Sequence, residues 1–370
     1  MEIIGIIAEY NPFHNGHLYH IKKIKEMSPK SIIILILNGY FLERGEISVE
    51  SIEAKTKLAL DNKIDIVIEL PFVFGTNSAD IFSEASIELL NELKVEKIIF
   101  GSECNNIKKL TELAKKQIKN ENNEKIKENL KKGLNYPTAI NDANNININT
   151  PNDILGISYI KTILKHKYNI EPITIKRTND YHDKSSNNNI ISASNIREKI
   201  KNNIDITKYV PNKDNINKID YELYFKLLKY KILNDNDLNK YLTVDEGIEN
   251  RLKSVINKSN NLEELIKNIK TKRYTYNRIN RMFIHILIGL TKEDKNKLNK
   301  NEYIRLLGFN EHGKKYINSI KKNTNIPIIS SLKNINSLIK DYEIKAYYIY
   351  NLLSKENILE FEQKNKPIRK

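Results

Sequence analysis

MEIIGIIAEYNPFHNGHLYH, residues 1–20, is an apolar run that ends in a polar turn carrying histidines. Ile3 to Ala8 is apolar at both alternating sets of positions, as in a parallel strand buried on both faces. Asn11-Pro12-Phe13-His14-Asn15-Gly16-His17 follows at once, and a helix is expected from Leu18 to Met27. In an open parallel sheet, ligands bind at the carboxyl ends of the strands. Gly16 lets a backbone approach a phosphate closely. A helix that starts here points free N–H groups at an anion. Two imidazoles three residues apart can donate to phosphate oxygens as charge develops there. The plainer alternative is a loop with two capping histidines. A metal pair is a further alternative, but no Cys or carboxylate cluster completes one.

The same alternation continues outward. Strand patterns recur at Ser31–Leu37, Ile64–Ile68, Lys97–Phe100 and Ile170–Ile175. Helix patterns fall at Ile52–Leu60, Ala79–Leu93, Ile154–Leu164 and from Ser194 to Ile200. Strands alternating with helices imply an α/β fold with a doubly wound, Rossmann-like parallel sheet. A polar helical stretch is expected from Asn105 to about Lys132, and an Asn-rich loop at Asn141–Asn149. After Pro211 the character changes. Tyr221–Ile232, Glu246–Ile256, Leu262–Ile269, Ile279–Leu290 and Glu343–Leu353 read as helices, and strand signals nearly vanish apart from Ile326–Ile329. At roughly 150 residues per domain, 370 residues suit two domains or three. A boundary near 202–215 gives an α/β catalytic domain over 1–205 and a mainly helical, basic domain over 206–370.

Composition narrows the class. Sixty-one Lys and Arg face 46 Asp and Glu, a net charge of +15, while hydrophobic residues make up 40%. That suits a folded chain with a real core, not a disordered one. Lys, Asn, Ile and Tyr are all abundant and have AT-rich codons, so charge alone does not establish a nucleic-acid partner. The longest apolar run, Ile32 to Leu37, is too short to span a bilayer. The acidic N-terminus is unlike a secretory signal. Cys104 is the single cysteine, which leaves no intrachain disulfide and no Cys-based zinc site. A cytoplasmic protein is expected.

A second polar stretch, Ile191-Ser192-Ala193-Ser194-Asn195-Ile196-Arg197, opens a helix after the last strand. Ser192 and Ser194 suit N-caps. They also suit a second phosphate cradle, with serine hydroxyls, helix N–H groups and the Arg197 fork on the β- and γ-phosphates. Further on, Lys270 to Arg281 (KTKRYTYNRINR) interleaves Lys272, Arg273, Arg278 and Arg281 with Tyr274 and Tyr276. Cations that neutralise phosphates beside tyrosines that stack on unpaired bases suit an RNA surface. The alternative is a solvated helix start whose tyrosines pack inward.

The H-x-G-H and I-S-A-S-N-I-R stretches together resemble the H-x-G-H nucleotidyltransferase superfamily, whose second motif usually carries Ser where Ala193 stands. A closer resemblance covers nearly the whole chain. The N-terminal stretch, Asn38 to Glu46 (NG-x-F-x-x-RGE), Glu69-Leu70-Pro71 and Phe100 to Glu103 are similar to the bacterial tRNA(Met) cytidine acetate ligase family. So are Pro151 to Gly156, Ile175-Lys176-Arg177, Tyr181-His182-Asp183, Glu246 to Glu249, Lys270 to Arg281, Tyr303 to Gly308 and Pro367 to Arg369.

The resemblance implies an enzyme that uses ATP, with Mg²⁺, to activate acetate as acetyl-adenylate. It then moves the acetyl group to N4 of the wobble cytidine of elongator tRNA(Met). It also implies ATP contacts at Ile7, Ala8, Glu9, Tyr10, Asn11, Pro12, Phe13, His14, Asn15, Gly16, His17, Leu18, Tyr19 and His20, then at Gly101, Asn152 and Arg177. An N-cap at Asn152 and a solvated strand end at Arg177 are the plainer readings of those two. His14, His17, Ser194 and Arg197 carry the expected catalytic roles, and no resident metal site is expected. Two rivals share the catalytic half: a small-molecule adenylyltransferase that makes a dinucleotide, and a non-catalytic RNA-binding protein on the same scaffold.

Overall fold

Buried apolar runs become the central strands β1 (Ile3–Ala8), β2 (Ile32–Asn38), β3 (Ile66–Leu70), β4 (Lys97–Ser102) and β5 (Glu171–Lys176). The computed structural model describes residues 2–121, 123–144, 148, 150–177, 189–354, 358 and 366–370. These five strands are all parallel, in the order β5-β4-β1-β2-β3. All seven residues of β2 are buried, as a central strand covered on both faces requires.

Helices fill the crossovers: α1 (Asn15–Met27), α2 (Ile52–Asp61), α3 (Phe72–Gly75), α4 (Ala79–Glu92), α5 (Ile107–Lys119), α6 (Glu124–Lys131), α7 (Tyr136–Asn144) and α8 (Pro151–His166). The chain runs outward from β1 to β2 and β3, then returns to place β4 on the other side of β1. The switch point therefore lies between the carboxyl ends of β1 and β4, where such sheets open a crevice. Gly156 of α8 makes this packing tight, since a methyl group there would lie 2.4 Å from the Phe100 ring.

The second half is mostly helical: α9 (Ala193–Lys201), α10 (Tyr221–Asn234), α11 (Ile248–Val255), α12 (Leu262–Ile269), α13 (Tyr276–Ile288), α14 (Lys292–Lys297), α15 (Glu311–Ile320) and α16 (Leu338–Ser354). It also extends the sheet, against the expectation that strands nearly vanish. β6 (Ile304–Phe309) pairs antiparallel with β3, and β7 (Ile328–Ile329) and β8 (Ile368–Arg369) pair parallel with β6. The sheet is thus mixed but dominated by parallel pairs. Arg305 in β6 is 3% exposed and meets Glu69 of β3 at 2.7 Å, and the Tyr347 hydroxyl donates to the other Glu69 oxygen at 2.8 Å. This buried charge is paired on both sides, which is the condition for tolerating it in a core strand. One continuous apolar core includes residues from Ile3 to Ile358, so both halves of the chain share it.

The Asn-rich segment differs from its reading as a loop. Residues 141–144 finish α7, and the buried Asn144 side chain donates to the Ile140 carbonyl at 2.9 Å. Asn145, Ile146, Asn147 and Asn149 lie outside the described residues, as do Tyr181, His182 and Asp183. Among the described residues, no helix is long and apolar enough to cross a membrane.

Candidate active site

β1 delivers the chain to a turn whose own residues brace it. Tyr10 and Phe13 are buried and meet edge to face at 4.6 Å. The Phe13 N–H donates to Glu50 Oε2 at 2.7 Å, and the Asn11 side chain accepts from the Val49 N–H at 2.8 Å. His14 is then the N-cap of α1, and His17 is the third residue of the helix. Nδ1 of His14 accepts from the Gly16 N–H at 2.9 Å, and Nδ1 of His17 accepts from the His14 N–H at 3.2 Å. Two histidines thus form a reciprocal capping box. Both Nδ1 atoms being acceptors, the proton of each neutral ring sits on Nε2. Capping and ligand binding do not compete here: one nitrogen of each ring holds the helix start, and the other is a fixed donor.

Gly16 has a different local reason from the phosphate approach expected of it. A methyl group there would lie 2.7 Å from Cε1 of His14, so the glycine makes room for that ring. Asn15 also works structurally. Its side-chain N–H groups donate to the Asn189 carbonyl at 2.7 Å and the Lys208 carbonyl at 2.9 Å, and its own N–H donates to the Tyr209 carbonyl at 3.0 Å. Those contacts tie the first histidine motif to the segments flanking α9.

On that helix Ser192 is the N-cap, accepting from the Asn195 N–H at 3.3 Å. Ile196 anchors it and is fully buried. Arg197 Nη1 donates to the Asn11 carbonyl at 2.7 Å, Nη2 to Glu46 Oε2 at 2.7 Å, and Nη2 lies 3.5 Å from Ser194 Oγ. The guanidinium is therefore held flat against the histidine turn, with Glu46 as its counter-charge.

β4 and β5 supply the third wall. Arg177 follows β5, and its side chain passes beside Gly101, where a methyl group would stand 3.4 Å from its Cγ. Among the described residues, Arg177 Nε is buried without a hydrogen-bond partner, and it lies 4.0 Å from Glu103. Asn152 is not the N-cap of α8: Thr150 is, and the Asn152 amide donates to Glu103 Oε1 at 2.6 Å.

These walls enclose a cavity of about 260 Å³ at the switch point. His14, His17, Ser194 and Arg197 all line it, as do Gly101, Asn152 and Arg177. From the turn, Ile7, Ala8, Glu9, Tyr10, Asn11, Gly16, Tyr19 and His20 line it too, whereas Pro12, Phe13, Asn15 and Leu18 do not. Sequence reasoning assigned no role to Glu43, Arg44 and Glu46, which also line it, nor to an apolar wall that includes Phe82 and Tyr159. A signal for Arg44 and Glu46 was present, as the RGE of the NG-x-F-x-x-RGE string, whereas Glu43 falls on one of its unspecified positions, and nothing local told the chemistry of either.

Electrostatics keep the imidazoles neutral. Burial, then Arg177 and Arg197, pushes His14 down to about 3. Burial, then the neighbouring histidines and Arg177, holds His17 well below its ordinary range. Burial and Arg177 bring His20 down to about 4. Beside the carboxylates of Glu9, Glu43 and Glu46, the cavity thus presents neutral donors and fixed guanidinium groups, which suit a polyanion. Among the described residues no group of three or more His, Cys, Asp or Glu converges to hold a metal.

The Tyr-rich segment lies around the start of α13. Lys272 and Tyr276 are exposed. Tyr274 is 4% exposed, its ring lies under the Arg278 guanidinium at 4.1 Å, and its hydroxyl donates to the Asp245 carbonyl at 2.7 Å. Arg273 pairs with Glu246, Arg278 with Asp245, and Arg281 with Glu43. Lys272 and Tyr276 are therefore presented outward, Tyr274 is inward, and Arg281 turns toward the cavity.

Comparison with known proteins agrees with this geometry. The family model described as HIGH Nucleotidyl Transferase matches residues 1–366. A tRNA(Met) cytidine acetate ligase from Geobacillus sp. (strain WCH70) is 37% identical over 399 aligned positions, covering 100% of both chains. The one from Clostridium novyi (strain NT) is 38% identical, covering 100% of this chain and 99% of the relative. The crystal structure of Thermotoga maritima TmcAL in its apo form superposes with a TM-score of 0.90 at 27% identity, covering 100% of this chain and 99% of that one. The same protein bound with alpha-thio ATP superposes with a TM-score of 0.88, covering all of both chains. The histidine capping box at a β1–β4 switch point is thus carried by a chain that belongs to the tRNA(Met) cytidine acetate ligase family, within the HIGH nucleotidyltransferases.

Proposed function

We propose that this protein activates acetate with ATP as acetyl-adenylate and transfers the acetyl group to N4 of the wobble cytidine of elongator tRNA(Met). The observation that carries the reading is the convergence of His14, His17, Arg177, Ser194 and Arg197 on one cavity from three separate segments, in a chain similar to these ligases from end to end. The Thermotoga maritima protein bound with alpha-thio ATP shares the whole fold.

In the first step an acetate oxygen attacks the α-phosphorus, the O–P bond forms, and the bond to the bridging oxygen breaks to release pyrophosphate. Charge crowds on the phosphate oxygens. The Nε2–H groups of His14 and His17, fixed by their caps, donate to that charge without reorganising. Arg177 steers the phosphate chain from the β5 edge. Ser194, Arg197 and the N-terminus of α9 receive the leaving pyrophosphate. Mg²⁺ brought as part of the ATP substrate would supply further charge neutralisation for the leaving pyrophosphate.

We assign the ATP chemistry to residues 1–205 and the tRNA contacts mainly to residues 206–370, with Lys272, Arg273, Tyr274, Tyr276, Arg278 and Arg281 as the basic, Tyr-rich segment. In that segment Lys272 and Tyr276 offer direct contacts, while the paired arginines shape the surface. A tRNA substrate places the protein in the cytoplasm.

An ATP–pyrophosphate exchange assay across small carboxylic acids, without RNA, tests the activation step. Exchange should depend on acetate. Exchange seen only with a nucleotide or phosphopantetheine acceptor would replace this reading with a small-molecule adenylyltransferase.

A further inference from the structure

The transfer step leaves a proton to be placed. The exocyclic amine of cytidine is a weak nucleophile because its lone pair is delocalised into the ring. As nitrogen bonds to the acetyl carbon, it becomes cationic and acidic. The C–N bond forms, the bond from carbonyl carbon to the AMP oxygen breaks, and AMP leaves as its phosphate anion. One N–H proton must pass to a base and then to solvent.

Three carboxylates of the cavity are candidates, each held through one oxygen among the described residues, and the element that holds each one separates them. Glu46 is spent on Arg197 at 2.7 Å. Glu9 Oε1 accepts from the Glu43 N–H at 2.7 Å and from the Asn38 side chain at 3.1 Å, so it braces the loop. Glu43 is held, also through one oxygen, from α13: its Oε1 meets Arg281 Nη1 at 3.2 Å, and its own carbonyl accepts from the same nitrogen at 3.1 Å. Among the described residues, Oε2 of Glu43 has no hydrogen-bond partner, while the residue lines the cavity. A fourth acid, the buried Glu50, sits beneath the histidine turn and does not line the cavity.

Position strengthens the choice. Arg281 belongs to α13, the helix opened by the Tyr-rich segment. Glu43 therefore stands where the ATP cavity meets the surface proposed to receive tRNA. The loop that carries it is rigid by construction. Gly45 has φ +70°, and a methyl group there would lie 2.3 Å from the Arg281 nitrogen, so the loop is pressed against the α13 backbone.

We propose that Glu43 is the general base for acetyl transfer, its Oε2 taking the amine proton, with Arg281 as the positioning residue that fixes its other oxygen. This rests on the function proposed above. The groups facing Glu43 are Arg281 and Arg44, which favour its charged form, and Glu9 and Glu46, which disfavour it. Burial is the largest influence and raises its proton affinity above that of an exposed carboxylate, which suits a base working near neutral pH. Tyr159 shares this wall, and burial first, then the Glu9 and Glu43 charges, hold its hydroxyl protonated.

The test uses the full chain in two stages. Enzyme is first loaded with ATP and acetate in the absence of RNA. In vitro transcribed tRNA(Met) is then added, and the rate constant of acetyl transfer is followed across pH. Glu43→Gln should slow transfer by about a hundredfold more than it slows acetyl-adenylate formation, the scale expected for losing a general base. The acid limb of the wild-type profile should vanish. Arg281→Gln should keep that limb but move it to higher pH, because the cation that favours the carboxylate is gone. That second variant keeps the proposal testable if Glu43→Gln folds poorly. Transfer by Glu43→Gln within about threefold of wild type, an equal loss in both stages, or an unmoved limb in Arg281→Gln would overturn the assignment. Wild-type protein that makes no acetyl-adenylate would instead overturn the function, and the base with it.

Discussion

The Gly16 N–H donates to Nδ1 of His14 at 2.9 Å, and a methyl group on Gly16 would lie 2.7 Å from the same ring. The glycine is needed for where the imidazole goes, and the imidazole in turn caps the helix that the glycine opens. Gly16→Ala sets two effects against each other. Alanine favours the helix by about 1 kcal/mol, while the displaced cap costs about as much. Stability should change little. Adenylation should drop by roughly a hundredfold, because one preorganised donor is misplaced. Near-normal exchange in a folded variant would show that the ring position is irrelevant to rate.

His17→Ala removes the other donor and half of the capping box. Adenylation should fall by about a hundredfold or more, and helix capping should cost about 1 kcal/mol. Thermal melts and exchange rates on one preparation separate the two. A loss of stability without a loss of rate would leave His17 as a cap alone.

Gly45→Ala should cost stability. The residue has φ +70°, and its added carbon would strike the α13 backbone at 2.3 Å. Strain and overpacking together predict about 1–3 kcal/mol, read from the urea midpoint. An unchanged midpoint would mean that the loop and α13 separate freely.

His285 supplies a pH dependence away from the site. It is fully buried, its Nε2 lies 2.8 Å from the Thr76 carbonyl, and its Nδ1 lies 2.8 Å from the Thr243 hydroxyl. Burial brings it down from 6.5 to about 4. Its folded affinity for protons is thus below its unfolded one, so its contribution is complete above about 6.5 and is lost as pH falls toward about 4. In His285→Gln the decline in unfolding free energy between those values should be shallower than in wild type by up to about 1.4 kcal/mol per pH unit. Equal slopes would mean that His285 already carries a proton in the folded protein.

Lys272 and Tyr276 face outward from the basic segment. Changing both to Ala should weaken tRNA binding and lower the salt slope by about 0.7–0.9 for one lost phosphate contact. Filter binding over a salt series measures both. An unchanged slope would move the RNA surface elsewhere.

Much of this was legible where one local pattern sufficed. Ile3–Ala8 reads as a doubly buried strand and is one. The helix after it begins at Asn15 rather than Leu18 because His14, not a Ser or Asp, is the cap. β6 escaped notice because Arg305 interrupts its apolar run. Only Glu69, 236 residues earlier, makes that charge tolerable in a core. The Tyr303–Gly308 string carries the family resemblance without a strand pattern of its own. The site divides in the same way. The histidines and Arg197 sit in strings with their own spacing, whereas Glu43 acquires meaning only from Arg281, 238 residues away. Tyr274 looks like a stacking residue in the string and is turned inward by the hydroxyl contact with Asp245.

The central claim is most directly tested by the product. Purified protein, ATP, Mg²⁺, acetate carrying a heavy isotope and an unmodified elongator tRNA(Met) transcript are incubated together, and the digested RNA is analysed by mass spectrometry. The expected result is heavy N4-acetylcytidine at the wobble position alone, with one AMP and one pyrophosphate released per acetyl group. Pyrophosphate release with no acetylated cytidine, or an acetyl group that arrives without ATP cleavage, would contradict it.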